Sequence, residues 1–167
     1  SSQEQEDFFK QFFKYHTQHW QKKMGYSYLI HPAEQAFLLE WCQRLLPMGA
    51  VKLNGLYLGA DLLTLSVNMV FQNALYCYAM VNTGLHPNYS PGNLNLIIQI
   101  QQAFAYGVQT VHMGPQHYGY KHRWANTVVP RLQVVLANPK QLIGQLYTHG
   151  LSYKLRRLAQ QNLLQSA

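Results

Sequence analysis

Acidic residues are scarce in this chain of 167 residues, where 6 Asp and Glu stand against 13 Lys and Arg and the formal net charge is +7. Asp61 is the only acidic residue after residue 40. A positive chain attracts polyanions, and charge alone does not separate nucleotides from nucleic acid. No run of Lys and Arg exceeds two residues and no RNP, zinc-finger or basic-zipper pattern occurs, so a dedicated nucleic-acid module is not indicated.

Cysteine is almost absent, since Cys42 and Cys77 are the only two. They lie far apart, without C-x-x-C spacing and in apolar surroundings, which predicts two buried reduced thiols rather than a disulfide or a metal pair. Neither lies in a turn or beside a base in the sequence, so a nucleophilic cysteine is not expected. The G-x-S-x-G pattern of serine hydrolases is also missing.

Metal ligands are not grouped, although the chain contains 8 His. His16 and His19 have helical i, i+3 spacing, and His112, His117 and His122 follow one another later in the chain. No Asp, Glu or Cys completes either group in the sequence, whereas a competent site needs three or four converging ligands. We therefore expect no metal.

Long hydrophobic runs are missing as well. No uninterrupted apolar run approaches the roughly 18 residues of a membrane span, and the first residues are too polar and acidic for a secretory signal. We expect a cytoplasmic chain without a membrane span, whose 167 residues form a single domain over residues 1–167. Its oligomeric state stays open, as does the alternative that it is one half of a longer protein.

The hydrophobic pattern predicts a mixed α/β chain that opens with two helices. The first helix is expected at residues 7–24, and the second follows Pro32 with a buried face of Ala36, Phe37, Leu39, Trp41 and Leu45. Asn54-Gly55 predicts a type I′ turn in a hairpin of residues 50–53 and 56–67. Further strands are expected at residues 74–81, 108–113 and 131–137, and a final helix at about residues 140–165.

The most informative segment is the turn Ser90-Pro91-Gly92-Asn93, which opens another helix. The start of a helix leaves N–H groups unpaired at the positive end of its dipole, and such a position binds phosphate. Gly92 lets an anion approach closely, Pro91 suits the first helical turn, and Ser90 is a favoured N-cap. The segment therefore predicts an anion site at the start of a helix.

The helix after this turn has apolar residues around much of its circumference. A first set recurs at helical spacing, and a second set widens the apolar arc, so burial on more than one side is expected. The first set is Leu94, Ile97, Ile98, Gln101, Phe104 and Ala105, and the second is Leu96, Ile100 and Ala103. Gly107 is a natural C-cap, which predicts the end of the helix.

A second motif, residues 113–121, reads Met-Gly-Pro-Gln-His-Tyr-Gly-Tyr-Lys. Tyr89 to Gly92 before the helix, together with the residues after the next strand, resembles the GNAT-like acyltransferase domains of the Fem and CelD type. The later residues of this pattern are Gly114, Tyr118, Tyr120, Lys121 and Trp124. The resemblance covers residues 50–137 well and the flanking helices more loosely. It implies an α/β fold of the acyl-CoA N-acyltransferase type, with a central mixed, mostly antiparallel sheet flanked by helices.

The resemblance implies acetyl-CoA or a longer acyl-CoA as co-substrate, bound in a cleft between splayed central strands. The pyrophosphate of coenzyme A is expected at the start of the helix, which in this sequence is formed by Ser90, Pro91, Gly92 and Asn93. Its pantetheine is expected to add like a strand beside residues around Tyr78, Met80 and Val81. Free N–H groups of that strand could also hold the oxyanion that forms when an amine attacks a thioester.

Direct transfer needs a base for the incoming amine and an acid for the departing thiolate. Tyr118 and Tyr120 are the candidate acids. Lys121 resembles the lysine that Fem-type transferases place in this motif, where it could hold a phosphate or carboxylate or offset charge in the transition state. Relatives often have an acid in the strand before the glycine, where this chain has His112, so His112 is a candidate base and Asp61 a remoter one.

Two functions of different classes follow from these residues. The first is an N-acyltransferase that moves an acyl or aminoacyl group from coenzyme A, a carrier-protein thioester or tRNA to a small-molecule or peptide amine. The second is a non-catalytic GNAT-like binding or assembly module, for example in envelope polysaccharide or peptidoglycan biosynthesis. The departure at His112 favours the second function, and the Ser-Pro-Gly and Tyr-x-Tyr-Lys elements favour the first.

Overall fold

The computed structural model of the chain describes residues 2–25, 27–114, 119–130 and 150. The chain divides into two compact units, Ser1–Asn126 and Thr127–Ala167, and of the second unit only residues 127–130 and 150 are described. The expected strand at residues 131–137, the expected helix at about 140–165 and Tyr118 lie outside the described residues. A single domain over residues 1–167 stays a prediction.

The described part of the first unit contains three α-helices and four strands. The helices are α1 (Ser2–Met24), α2 (Pro32–Leu45) and α3 (Pro91–Ala105), and the strands are β1 (Val51–Leu58), β2 (Asp61–Phe71), β3 (Ala74–Asn82) and β4 (Thr110–His112). Short 3₁₀ helices lie at Tyr28–Ile30, Leu46–Met48, Pro87–Tyr89 and Lys121–Arg123. None of the described helices has both the length and the apolar character that crossing a membrane requires.

The four strands form one mixed sheet in the order β1-β2-β3-β4. β1, β2 and β3 are joined by tight turns and pair antiparallel, whereas β4 pairs parallel to β3 after the crossover through α3. A parallel neighbour needs such a crossover because a tight turn can only reverse the chain. The predicted fold class, a mostly antiparallel mixed sheet flanked by helices, is confirmed.

The prediction of a hairpin turn at Asn54-Gly55 is wrong. Both residues lie within β1 and pair with β2, and the chain turns instead at Gly59 and Ala60, where Gly59 has a φ of 59°. A β-carbon on Gly55 would lie only 2.9 Å from Cε2 of Tyr57, two residues further along the strand. Gly55 therefore provides space for an aromatic ring rather than a reversal of the chain.

The type I′ pattern occurs in the next turn, between β2 and β3. Phe71 pairs with Ala74, so Gln72 and Asn73 form a two-residue loop, and their φ angles are 47° and 57°. Two successive residues with positive φ are the requirement of a type I′ hairpin turn. This turn matches the strand twist without a glycine, so the Asn-Gly or Gly-Gly pair that usually predicts a type I′ turn is missing here.

The main hydrophobic core joins α1 and α2 to one face of the sheet. Its buried members are Phe9, Phe12, Leu29, Leu38, Cys42, Val51, Leu62, Leu65, Val67 and Val81. On α2 the buried residues are Leu38 and Cys42, whereas Ala36 and Phe37 are exposed, so the predicted face of this helix is wrong at those two positions. α2 is apolar around much of its circumference, and periodicity alone therefore does not select the inner stripe.

α3 packs on the opposite face of the sheet in an orientation that the sequence pattern did not predict. Its buried residues are Pro91, Asn95, Leu96, Gln99 and Ala103. Leu94, Ile98 and Phe104 of the expected apolar stripe are exposed. The prediction for this stripe is wrong because the residues facing the sheet include amides that hydrogen-bond to β2.

These hydrogen bonds form the α3–β2 polar network, which consists of Asn54, Ser66, Asn68, Asn95 and Gln99. Gln99 Nε2 donates to Ser66 Oγ at 2.7 Å, and Asn68 Nδ2 donates to Gln99 Oε1 at 2.8 Å. Longer contacts of 3.5 Å join Asn95 Nδ2 to Ser66 Oγ and Asn68 Nδ2 to Asn54 Oδ1. All members except Asn54 are at most 5% exposed, so losing a partner leaves a buried polar group unpaired.

His16 of α1 makes folding sensitive to pH. It is 2% exposed, with Nδ1 3.2 Å from Ser27 Oγ. Burial, with a smaller effect of His19, lowers the pKa of His16 from 6.5 to about 4. The unfolded chain therefore takes up a proton below pH 6.5, whereas the folded chain resists protonation until about pH 4.

We expect His16 to remove up to roughly 3 kcal/mol from the free energy of unfolding as the pH falls from 7 to 4. The variant His16→Gln cannot titrate at this position and should lose less stability over the same interval. Urea titrations of both proteins at several pH values measure the difference. Equal pH dependence in the two proteins would contradict this assignment.

Candidate active site

β3 and β4 pair only at one end, and this leaves a gap between them. The paired positions are Ala74 with Thr110, Leu75 with Val111, and Tyr76 with His112. β4 ends at His112, whereas β3 continues to Asn82. Within the described residues, the edge of β3 that faces away from β2 therefore has no strand partner over residues 77–82. We call this the open edge, and its backbone groups could pair with an extended ligand.

A β-bulge distorts β3 at the beginning of the open edge. Asn68 of β2 pairs with Cys77 and Val67 pairs with Ala79, so Tyr78 is the extra residue. A bulge leaves backbone groups out of the ladder and changes the direction of the side chains around it. The open edge thus starts where the ladder between β2 and β3 is irregular.

The side chain of Tyr78 lies towards α2. Its ring centroid is 5.7 Å from that of Trp41, and the residue is 46% exposed. Burial raises the pKa of the Tyr78 hydroxyl, and Cys42 adds to the rise. The hydroxyl is therefore protonated at neutral pH and available as a hydrogen-bond donor.

The amino-terminal end of α3 lies beside the other end of the open edge. A β-carbon on Gly92 would lie 3.2 Å from the side-chain oxygen and nitrogen of Asn82 and 3.4 Å from Cε of Met80. The structure therefore brings together Met80 and Gly92, two of the predicted site residues. Asn82 is a further member that the sequence did not indicate, since an asparagine at a strand end usually marks only a turn.

The first turn of α3 offers one N–H group rather than several. Ser90 is the N-cap residue of α3, as predicted, although its φ and ψ of 49° and 55° are left-handed and its side chain makes no capping hydrogen bond. Its carbonyl accepts from the N–H groups of Asn93 at 2.9 Å and Leu94 at 3.2 Å. Pro91 has no N–H, which leaves the N–H of Gly92 without a backbone acceptor among the described residues. An anion at this helix end would meet Gly92.

Lys121 lies near the beginning of the open edge. A β-carbon on Gly114 would lie 3.4 Å from the carbonyl oxygen of Cys77 and 3.8 Å from Lys121 Nζ, and the φ of Gly114 is 78°. Burial raises the pKa of Cys77 to about 11, against a smaller opposing effect of the Lys121 charge. The Cys77 thiol is therefore protonated at neutral pH, whereas the thiolate is the nucleophilic form of cysteine. Cys42 and Cys77 are both free thiols, as predicted, although Cys77 is only partly buried.

His112 and Asp61 lie at opposite ends of β3. The ring of His112 stacks on Tyr76, with centroids 4.6 Å apart and planes 18° apart. Asp61 Oδ2 is 2.7 Å from Nε2 of His86, in the loop that follows Asn82. The extended strand between Tyr76 and Asn82 spans roughly 20 Å, so Asp61 does not reach His112.

The remaining candidate residues are Tyr118, Tyr120 and Val81. Tyr120 is 39% exposed and directly precedes Lys121, and Tyr118 is outside the described residues. Val81 is 2% exposed in the main core, so only its backbone is available to a ligand. Among the residues that the structure describes, no three His, Cys, Asp or Glu side chains converge as metal ligands.

Comparison with known protein families matches residues 1–122 to the acetyltransferase (GNAT) domain. This match includes α1 to α3 and β1 to β4, and therefore both ends of the open edge. No curated protein and no solved structure matches the chain. The Fem or CelD subtype stays a prediction. The bulged strand, the crossover helix and the family match lead to one conclusion: the chain belongs to the GNAT acetyltransferase domain family.

Proposed function

We propose that this chain transfers an acyl group from acyl-CoA to an amine by direct attack of the amine on the thioester. Membership of the GNAT family supports acyltransferase function in general, with an acyl-CoA donor and an amine acceptor. The observation that carries the proposal is the open edge of β3, which runs from the bulge at Tyr78 to the amino-terminal end of α3. An extended thioester with a charged tail fits an edge of this kind.

The donor is proposed to lie along residues 77–82. Its pantetheine takes the place of a neighbouring strand and forms backbone hydrogen bonds with β3. Its pyrophosphate meets the N–H of Gly92 at the positive end of the α3 dipole, framed by Ser90, Pro91 and Asn93. The first turn of α3 has no acidic side chain, so no carboxylate within that turn opposes the phosphate.

In the proposed reaction the amine nitrogen attacks the thioester carbon, a C–N bond forms, the C–S bond breaks and coenzyme A leaves as a thiolate. Backbone N–H groups beside the bulge at Tyr78 stabilise the oxyanion. The amine loses one proton, which we assign to His112, and the thiolate gains one from Tyr118 or Tyr120. Lys121 offsets negative charge near the beginning of the open edge.

A second candidate is a non-catalytic binding module with the same fold. The stacking of His112 on Tyr76 favours it, because a histidine held in such a stack can serve packing alone. A tRNA donor has no support from the family match. The two candidates agree on donor binding and differ on turnover.

Calorimetric titration with acetyl-CoA and longer acyl-CoA thioesters tests the donor site, and thiol release in the presence of amines tests turnover. The amine panel should include amino acids, amino sugars and short peptides. We expect micromolar binding and release of free coenzyme A that depends on one amine class. Binding without release by the whole panel would favour the non-catalytic module, and no binding of any thioester would contradict the proposal.

A further inference from the structure

The face of α3 that contacts β2 is polar where a helix on a sheet is usually apolar. Gln99 is 5% exposed and uses both ends of its amide, with Ser66 accepting at 2.7 Å and Asn68 donating at 2.8 Å. Ser66 and Asn68 are separated by one residue on β2 and therefore project from the same face. A single glutamine thus contacts two neighbouring positions of one strand.

We propose that Gln99 is a positioning residue, which sets the rotation and translation of α3 on β2 and thereby places the N–H of Gly92 at the end of the open edge. The inference rests on the proposed function. Apolar contacts have no directional preference, whereas hydrogen bonds depend on distance and angle. Only one placement of the helix lets Gln99 donate to Ser66 and accept from Asn68 together.

Gln99 and Gly92 are linked through the helix itself. They are two turns apart on the same face, and Asn95 lies between them with its own 3.5 Å contact to Ser66. A rigid helix transmits a shift at Gln99 to its amino-terminal end. Gly92 has little room there, because a β-carbon would already lie 3.2 Å from the Asn82 side chain.

The polar network is separate from the groups proposed to touch the donor. Gln99, Ser66 and Asn68 are all buried, so none of them lies on an exposed surface where a ligand would bind. Thr64 is also buried on β2, and its hydroxyl has no hydrogen-bond partner among the described residues. A hydroxyl without a hydrogen bond does not orient the helix that packs on it. The orientation of α3 on β2 therefore depends on Ser66 and Asn68, which are paired.

The test compares Gln99→Met with Gln102→Met, which makes the same chemical change at an exposed position of α3. The Kd of acetyl-CoA and of S-acetylpantetheine is measured for each protein, because the second donor lacks the pyrophosphate. In Gln99→Met we expect acetyl-CoA binding to weaken about tenfold. This corresponds to the loss of one hydrogen bond to a charged group, the bond from the Gly92 N–H to the pyrophosphate. S-acetylpantetheine binding should change less than about twofold, and Gln102→Met should match the wild type for both donors.

If Gln99 has a purely structural role, Gln99→Met would weaken the binding of both donors equally or of neither. Either result would overturn the inference. Ser66→Ala provides a milder variant in case Gln99→Met does not fold, since the Asn68 to Gln99 bond remains. Circular dichroism establishes folding, and this variant should show the same selectivity with a smaller loss. If the wild type binds neither donor, the proposed function fails and the inference with it. That failure is visible before any variant is made.

Discussion

Replacing Gly92 with Asp is expected to weaken acetyl-CoA binding by at least about 100-fold while the chain stays folded. The new carboxylate would lie where the pyrophosphate is proposed to approach and would compete for the Gly92 N–H. An acidic residue in the first helical turn stabilises a helix through its dipole, so α3 should persist. The added β-carbon meets the Asn82 side chain at 3.2 Å, and the end of that side chain can move aside.

The matched control is Gly92→Ala, which adds the same β-carbon without the charge. Calorimetric titration of both variants with acetyl-CoA separates crowding from electrostatic repulsion, and thermal melts establish that both are folded. We expect a loss of only a few fold in Gly92→Ala. If Gly92→Asp binds acetyl-CoA with wild-type affinity, the pyrophosphate does not bind at Gly92. If both variants lose the same affinity, the cause is crowding by the added β-carbon.

Truncating Phe12 to Ala is expected to lower the free energy of unfolding by about 3–5 kcal/mol. Phe12 is completely buried in the main core, where its ring lies 6.0 Å from that of Phe8 and 5.7 Å from that of His16, centroid to centroid. The smaller side chain loses apolar burial and leaves a cavity that the surrounding helices and strands fill only in part.

The control is Phe37→Ala on α2, because Phe37 is 67% exposed. Truncating an exposed phenylalanine removes little buried surface. The free energy of unfolding of Phe37→Ala should therefore stay within about 0.5 kcal/mol of the wild-type value. Urea titrations of the three proteins give both differences. A large loss in Phe37→Ala, or a small one in Phe12→Ala, would contradict the arrangement of α1 and α2 against the sheet.

The strand, turn and helix around Ser90-Pro91-Gly92 could be predicted because their cues are local. Proline and glycine determine where α3 begins, and Gly107, with a φ of 83°, follows its last turn as expected. The orientation of α3 could not be predicted. Leu94, Ile98 and Phe104 form an apolar stripe in the sequence, yet the amides of Asn95 and Gln99 face the sheet because β2 supplies partners for them.

Gly92 and Lys121 can be proposed from the sequence because a small residue at the start of a helix and a positive charge are local cues, and one of them lies near each end of the open edge. Their roles at the site stay predictions. The bulge at Tyr78 depends on how β2 and β3 pair, which periodicity does not determine. The separation of Asp61 from His112 likewise depends on the length of β3, since Asp61 pairs with His86 at the other end.

The α3–β2 polar network also affects which strand pairings the chain can tolerate. Leu65 and Val67 alternate along β2 with Ser66 and Asn68, so a slip of one residue would turn the apolar pair towards α3. Gln99 would then be buried against hydrocarbon with neither end of its amide paired, at a cost of about 1–3 kcal/mol or more. Docking of α3 therefore selects the correctly registered sheet, and the same hydrogen bonds discriminate against misfolded alternatives.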